Sequence, residues 1–183
     1  MRSGRGVSDE QRGIGTSLWL MPEGEAYDRL SAMIDRLATR LGTTRFAPHV
    51  TLLSGLVAPE PAIVERARAL AGELGPLRLA FTAVDGTERH FRCLFLRVSD
   101  WDALRDAHAR AARRFGREPD PSFDPHLSLV YGTLAAPVKG ALTDELAPEA
   151  RASFEARRLH VWRTEGRVRE WRTLGSFAFG DDV

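Results

Sequence analysis

Two short peptides carry the residue types of acid–base chemistry in matching order. Pro48-His49-Val50-Thr51-Leu52 recurs 77 residues later as Pro125-His126-Leu127-Ser128-Leu129, each histidine following proline and opening an apolar run. In an extended chain alternate side chains share a face, so His49 and Thr51 lie on one side and Val50 and Leu52 on the other. The same parity holds for His126 and Ser128 against Leu127 and Leu129. Burying the apolar pairs turns each imidazole and hydroxyl toward the opposite side, where a wet cleft would satisfy them. A proline lacks the amide hydrogen, which suits the first residue of a strand.

Two imidazoles across one substrate suit in-line displacement at phosphorus. With an ordinary pKa of roughly 6.5, one ring can be neutral and the other charged near neutrality at little cost. At a separation of ~6 Å and an effective dielectric of ~20, repulsion between two charged rings is about 3 kcal/mol, or about two pKa units. That splitting favours a singly protonated pair. The neutral ring can take a proton from water, the charged ring can give one to a leaving oxygen, and each step contributes roughly 10²–10⁴-fold. The hydroxyls of Thr51 and Ser128 would hold the oxyanion between the rings.

The elements that must position these groups are legible as periodicities. Ile14–Met21 alternates as a strand. Residues 25–41 place Leu30, Met33, Ile34, Leu37 and Leu41 at helical spacing, with Gly42 as the stop. The first histidine strand follows. A second helix is expected over 63–74, ended by Gly75 and Pro76, and strands over 77–84 and 91–98. Trp101, Leu104, His108, Ala111 and Phe115 mark a helix capped by Asp100. After the second histidine strand comes a weaker helix over 139–146, then a closing hairpin of strands 154–164 and 168–179 turning at Glu165 and Gly166. Strand, helix, histidine strand thus occurs twice. Hairpins outnumber regular crossovers, so the expected class is α+β with antiparallel sheet flanked by helices.

Composition narrows the setting. The 183 residues, 43% hydrophobic, suffice for one core or two lobes sharing one, so 14–183 is expected to be a single domain after a mobile Arg/Gly/Ser-rich tail, 1–13. No run of about 18 apolar residues occurs, so no membrane association is expected. Cys93 is the only cysteine, excluding an intramolecular disulfide and fitting a cytoplasmic location. With 26 basic and 25 acidic residues the net charge is +1, which argues against a broad nucleic-acid surface and for a small-molecule partner. Dispersed histidines and one cysteine make no zinc site, and neither a P-loop nor a G-x-S-x-G elbow is present, so no metal or other cofactor is expected. His90, His108 and His160 read as structural histidines, Arg92, beside the central strand, first as a solvated arginine and second as a phosphate contact, and Trp101, Trp162 and Trp171 as packing residues.

Paired H-x-[S/T] motifs flanked by apolar residues resemble the two-histidine phosphoesterase superfamily, and in particular its cyclic phosphodiesterase branch. The likeness runs through Ser17–Pro22, Phe46–Thr51, Phe91–Leu96, Pro125–Tyr131 and Glu170–Thr173, in one order along the chain. It implies a bilobal fold, two pseudo-symmetric lobes of antiparallel sheet with outer helices around a central groove, and metal-independent hydrolysis of cyclic phosphates. The substrates it implies are nucleoside 2',3'-cyclic phosphates, opened to the 2'-phosphate, or ADP-ribose 1'',2''-cyclic phosphate. Carried across, His49 and His126 become the acid–base pair, Thr51 and Ser128 the phosphate holders, and Trp19 and Tyr131 aromatic walls near base or ribose. Which ring is acid and which is base stays open. On strand parity alone Tyr131 falls on the face opposite His126, so its placement requires a bend near Gly132. Plant members of the branch carry disulfides that one cysteine cannot make, and residues 116–123 are the candidate flexible rim. Two further readings stand beside this one: an enzyme acting on 2',3'-cyclic ends of RNA, similar to the superfamily's 2'-5' RNA ligase branch, and a noncatalytic nucleotide-binding module. A monomer is expected in each case.

Overall fold

The computed structural model describes residues 11–99 and 101–180. Its eight strands are β1 (Thr16–Leu20), β2 (Val50–Leu56), β3 (Leu77–Gly86), β4 (Leu94–Ser99), β5 (His126–Val130), β6 (Ser153–Ala156), β7 (Arg158–Arg163) and β8 (Arg172–Ala178). Four helices intervene: α1 (Gly24–Leu41), α2 (Glu60–Glu73), α3 (Asp102–Arg114) and α4 (Ala136–Leu146). The strands form one antiparallel sheet in the order β6-β3-β4-β5-β2-β1-β7-β8, an α+β fold.

The sheet has two four-stranded halves, β6-β3-β4-β5 and β2-β1-β7-β8, joined through one register pair, Val50 with Leu127. Each of these two residues directly follows a motif histidine. The junction therefore lies inside the repeated peptides themselves. Only Arg157 separates β6 from β7, yet these strands sit first and seventh in the sheet. Consecutive Cα atoms are about 3.8 Å apart, so the sheet must curl until the two places meet.

Helix α1 buries Leu30, Met33, Ile34 and Leu37 and ends where Gly42 adopts φ 67°, its amide donating to the Ala38 carbonyl. That left-handed C-terminal stop favours glycine. The helices exchange sides: α1 leaves β1 of one half but packs on β5 of the other, and α3 leaves β4 but packs on β2. Each motif strand is thus buttressed by a helix from the opposite half. Leu18, Leu20, Val50, Leu52, Leu127 and Leu129 are all buried in the core beneath.

The structure corrects several local expectations. The strand expected over 154–164 is two strands in different halves, because Arg157 is the crossing point. Phe91 does not open β4; residues 90–92 form a 3-10 turn and the strand begins at Leu94. The expected rim 116–123 is anchored. Arg117 donates to the carbonyls of Ser54 (2.7 Å) and Gly55, and the Asp120 amide donates to His108 Nε2 at 3.2 Å. Phe123 stacks on the same imidazole at 4.0 Å. The other nitrogen of His108, Nδ1, donates to the Leu52 carbonyl at 2.8 Å, so this histidine pins both α3 and the segment before His126 onto β2. Of the expected tail, residues 1–10 lie outside the described residues, while Gly13 exchanges backbone hydrogen bonds with Gly166 at 2.8 and 3.1 Å. Asp100, the expected cap of α3, also lies outside them. No helix among the described residues is long and apolar enough to cross a membrane.

Candidate active site

The two motif histidines are oriented by the same local device. His49 Nδ1 bonds the carbonyl of Ala47 at 2.7 Å, and His126 Nδ1 bonds that of Asp124 at 3.0 Å. Each acceptor is the carbonyl of the residue before the proline, which is biased to an extended conformation. A carbonyl can only accept, so Nδ1 carries the proton in both rings and Nε2 is the atom left for chemistry. Extending the Val50–Leu127 register by one residue each way sets His49 abreast of Ser128 and Thr51 abreast of His126. Outward from that pair the strands run β2-β1-β7-β8 on one side and β5-β4-β3-β6 on the other.

All six residues singled out in the sequence line one cavity of about 1010 Å³: His49, Thr51, His126, Ser128, Trp19 and Tyr131. Their roles divide differently from the expectation. Trp19 is 2% exposed and is the middle ring of a stack, with His49 at 3.5 Å and 10° on one side and Trp162 at 4.7 Å on the other. No open face is left for a base, so Trp19 supports the imidazole instead of meeting a nucleoside. Tyr131 lies past the end of β5, where the chain turns into Gly132 at φ 143°, and strand parity ceases to apply. Its ring stacks on Phe46 at 3.7 Å, and its hydroxyl is 3.4 Å from His49 Nε2, donating to it weakly. Ser128 donates to the Phe91 carbonyl at 2.8 Å. Thr51, by contrast, shows no side-chain hydrogen bond among the described residues and faces the cavity.

Burial sets the electrostatics. It holds His49 down to about 4, against the opposing effect of the Ala47 bond, and the charge of His126 adds a smaller push in the same direction. His126 is also lowered, first by burial and then by the cations Arg92 and Arg97, with the Asp124 carbonyl and carboxylate opposing. Desolvation, more than mutual repulsion, therefore disfavours the charged form of both rings. Tyr131 is raised above the usual phenol range by burial, so it is a neutral donor.

Residues that the sequence reading left outside the site, His90 as structural, Arg92 as solvated first and Trp171 as packing, also line the cleft. His90 and Arg92, in the 3-10 turn, face it together with Phe91 and Trp171. Lys139, the chain's one lysine, holds the approach to this turn by donating to the Thr87 carbonyl at 2.8 Å and pairing with Glu88 at 2.6 Å. The Arg92 guanidinium pairs with the Asp124 carboxylate. His108 and His160 lie off the cleft lining, as expected for structural histidines.

Comparison with known proteins agrees with the fold. The chain is 23% identical over 118 residues to a cyclic phosphodiesterase of Arabidopsis thaliana, a match spanning 64% of this chain and 65% of that relative. Solved structures share the fold across 93% of the chain: Escherichia coli LigT in apo form, at 14% identity and a TM-score of 0.59, and TT0787 of Thermus thermophilus, at 18% and 0.61. Each of those two chains is covered in full. The family model of the 2'-5' RNA ligase superfamily matches residues 18–168, which takes in both histidine motifs and the turn between them, and the chain belongs to that superfamily.

Proposed function

We propose that the protein hydrolyses 2',3'-cyclic phosphodiesters to 2'-phosphates by acid–base catalysis between His49 and His126, with no step passing through a metal. The observation that carries this reading is the matched pair of Nε2 atoms, each fixed by a carbonyl on Nδ1, on either side of the single pair that joins the halves. The relative from Arabidopsis is named a cyclic phosphodiesterase, and LigT has been solved with 3'-AMP and with phosphate.

The proton inventory follows from the geometry. Burial disfavours an imidazolium at either ring before substrate binds, so one proton enters with the anion, whose charge offsets that cost. Arg92 and Arg97 stand beside His126 and oppose its protonation. We assign this proton to His49, the ring with no cation beside it; burial lowers His49 further than His126, so the assignment is not read from the order of the two shifts. Water loses a proton to His126 Nε2 as its oxygen bonds phosphorus, the 3' oxygen leaves, and His49 Nε2 protonates it. The rings exchange protons with solvent to reset. Thr51, whose hydroxyl is uncommitted, donates to the phosphate, and Ser128 does so after leaving the Phe91 carbonyl.

ADP-ribose 1'',2''-cyclic phosphate is a second small substrate for the same chemistry. The cleft also admits a larger one, an RNA end bearing the cyclic phosphate: its volume is at the top of the range for drug-sized ligands, and Arg12 and Arg89 line it. Turnover of a 2',3'-cyclic mononucleotide, of the ADP-ribose compound and of a cyclic-ended oligonucleotide, each with chelator present, tests these readings. Formation of the 2'-phosphate isomer is expected. Tight binding of the cyclic mononucleotide with no hydrolysis of any of the three would refute the proposal and leave a binding module.

A further inference from the structure

Three arginines line the cleft, Arg12, Arg89 and Arg92. The first two are exposed, but the Arg92 side chain is only 17% exposed. Its guanidinium lies 4.4 Å from the centre of the Phe95 ring, and the His126 ring meets the same phenyl edge-on at 5.2 Å. Cation and imidazole thus flank one phenyl group on β4.

Asp124 fixes both of them. Its carboxylate pairs with Arg92 and its carbonyl accepts from His126 Nδ1, so one residue sets the guanidinium relative to the ring. The pairing is incomplete. Arg97 shares the Asp124 carboxylate at 3.7 Å while binding Asp85, and Arg92 Nε is buried with no hydrogen-bond partner among the described residues. A guanidinium has five N–H donors, and burying one of them, the Nε–H, without a partner is costly unless an anion completes the set.

We infer that Arg92 is a phosphate-binding residue of this cleft, lying outside both histidine motifs and meeting the substrate anion on the His126 side. Its planar donors match phosphate oxygens, as a lysine ammonium would not. The inference rests on the phosphodiester reading, and it adds the counter-charge that the two hydroxyls cannot supply.

The test measures binding of inorganic phosphate and of 2'-AMP, with adenosine as the uncharged control, to the full chain and to Arg92→Gln and Arg92→Lys. Both phosphates are expected to bind Arg92→Gln about tenfold or more weakly, with partial recovery in Arg92→Lys and no change for adenosine. In turnover of 2',3'-cyclic AMP, loss of the cation is expected to move the limb of kcat/KM that reports His126 to higher pH. That limb reads His126 among Arg92, Arg97, Asp124 and His49, and a merely structural Arg92 would not shift it. Undiminished phosphate affinity in Arg92→Gln, or none in the unmodified chain, overturns the inference. Should phosphate bind as expected while no cyclic substrate is opened, the phosphodiester reading fails and the anion contact stands. Arg92→Lys keeps the charge, so it decides the matter if the glutamine variant does not fold.

Discussion

Val50 of β2 and Leu127 of β5 are register partners, both fully buried, and theirs is the pair that joins the two halves of the sheet. Leu127→Ala is expected to cost about 2–5 kcal/mol, the range for emptying a well-packed core site. Because His126 and Ser128 flank this residue, kcat should fall in the same variant. Chemical denaturation and steady-state kinetics on one preparation check both.

The assignment of acid and base makes an asymmetric prediction. His49→Ala and His126→Ala should each lower turnover of a 2',3'-cyclic nucleotide roughly 10²–10⁴-fold. A diester with a p-nitrophenolate leaving group needs little protonation. It should recover most of the loss in His49→Ala and little in His126→Ala; the reverse pattern would exchange the roles.

Burial of His49 links stability to pH. Its folded pKa of about 4 lies below the unfolded value of 6.5, so between these limits the unfolded chain binds more protons than the native one. Stability is full above pH 6.5 and is lost as pH falls toward 4, by about 3 kcal/mol for this group. Denaturation midpoints measured across that window should show the slope, and His49→Gln should flatten it.

The catalytic pH profile should be bell-shaped and displaced. Since burial lowers both rings, kcat/KM, which reads the free enzyme, should peak on the acid side of 6.5. Bound anion raises both rings, so kcat should peak at higher pH. Coincident optima would show that the anion does not bring the proton in.

Trp19 offers a test of support against contact. With His49 stacked on it at 3.5 Å and no open face, Trp19→Leu should lower kcat while leaving KM within about threefold. A rise in KM with kcat unchanged would make it a substrate contact after all.

Much of the site could be read from residue order because the chemistry is local. The H-x-[T/S] spacing places imidazole and hydroxyl on one face wherever the strand lies, and helical periodicity located α1 and α2 within a few residues. What escaped depended on distant partners. Arg157 is an ordinary arginine, with no glycine or proline to mark it as the crossing between halves. Tyr131 defeated the alternation rule because β5 stops at Val130. Arg92 read as solvated first and as a phosphate contact second, since nothing near it in sequence announces Asp124, 32 residues on. The bilobal sheet with outer helices was legible; the exchange of helices between halves was not, because short loops do not encode which side a helix crosses to.

The placement of β6 and β7 has a consequence for biosynthesis. One half lacks its edge until Ser153–Ala156 has been made, and the other lacks its third and fourth strands until Arg158–Ala178 follows. Such remote pairings close slowly. A ribosome will therefore have polymerised through Ala178 before either imidazole gains its finished surroundings, and translation products that stop short of it should be inert instead of partly competent.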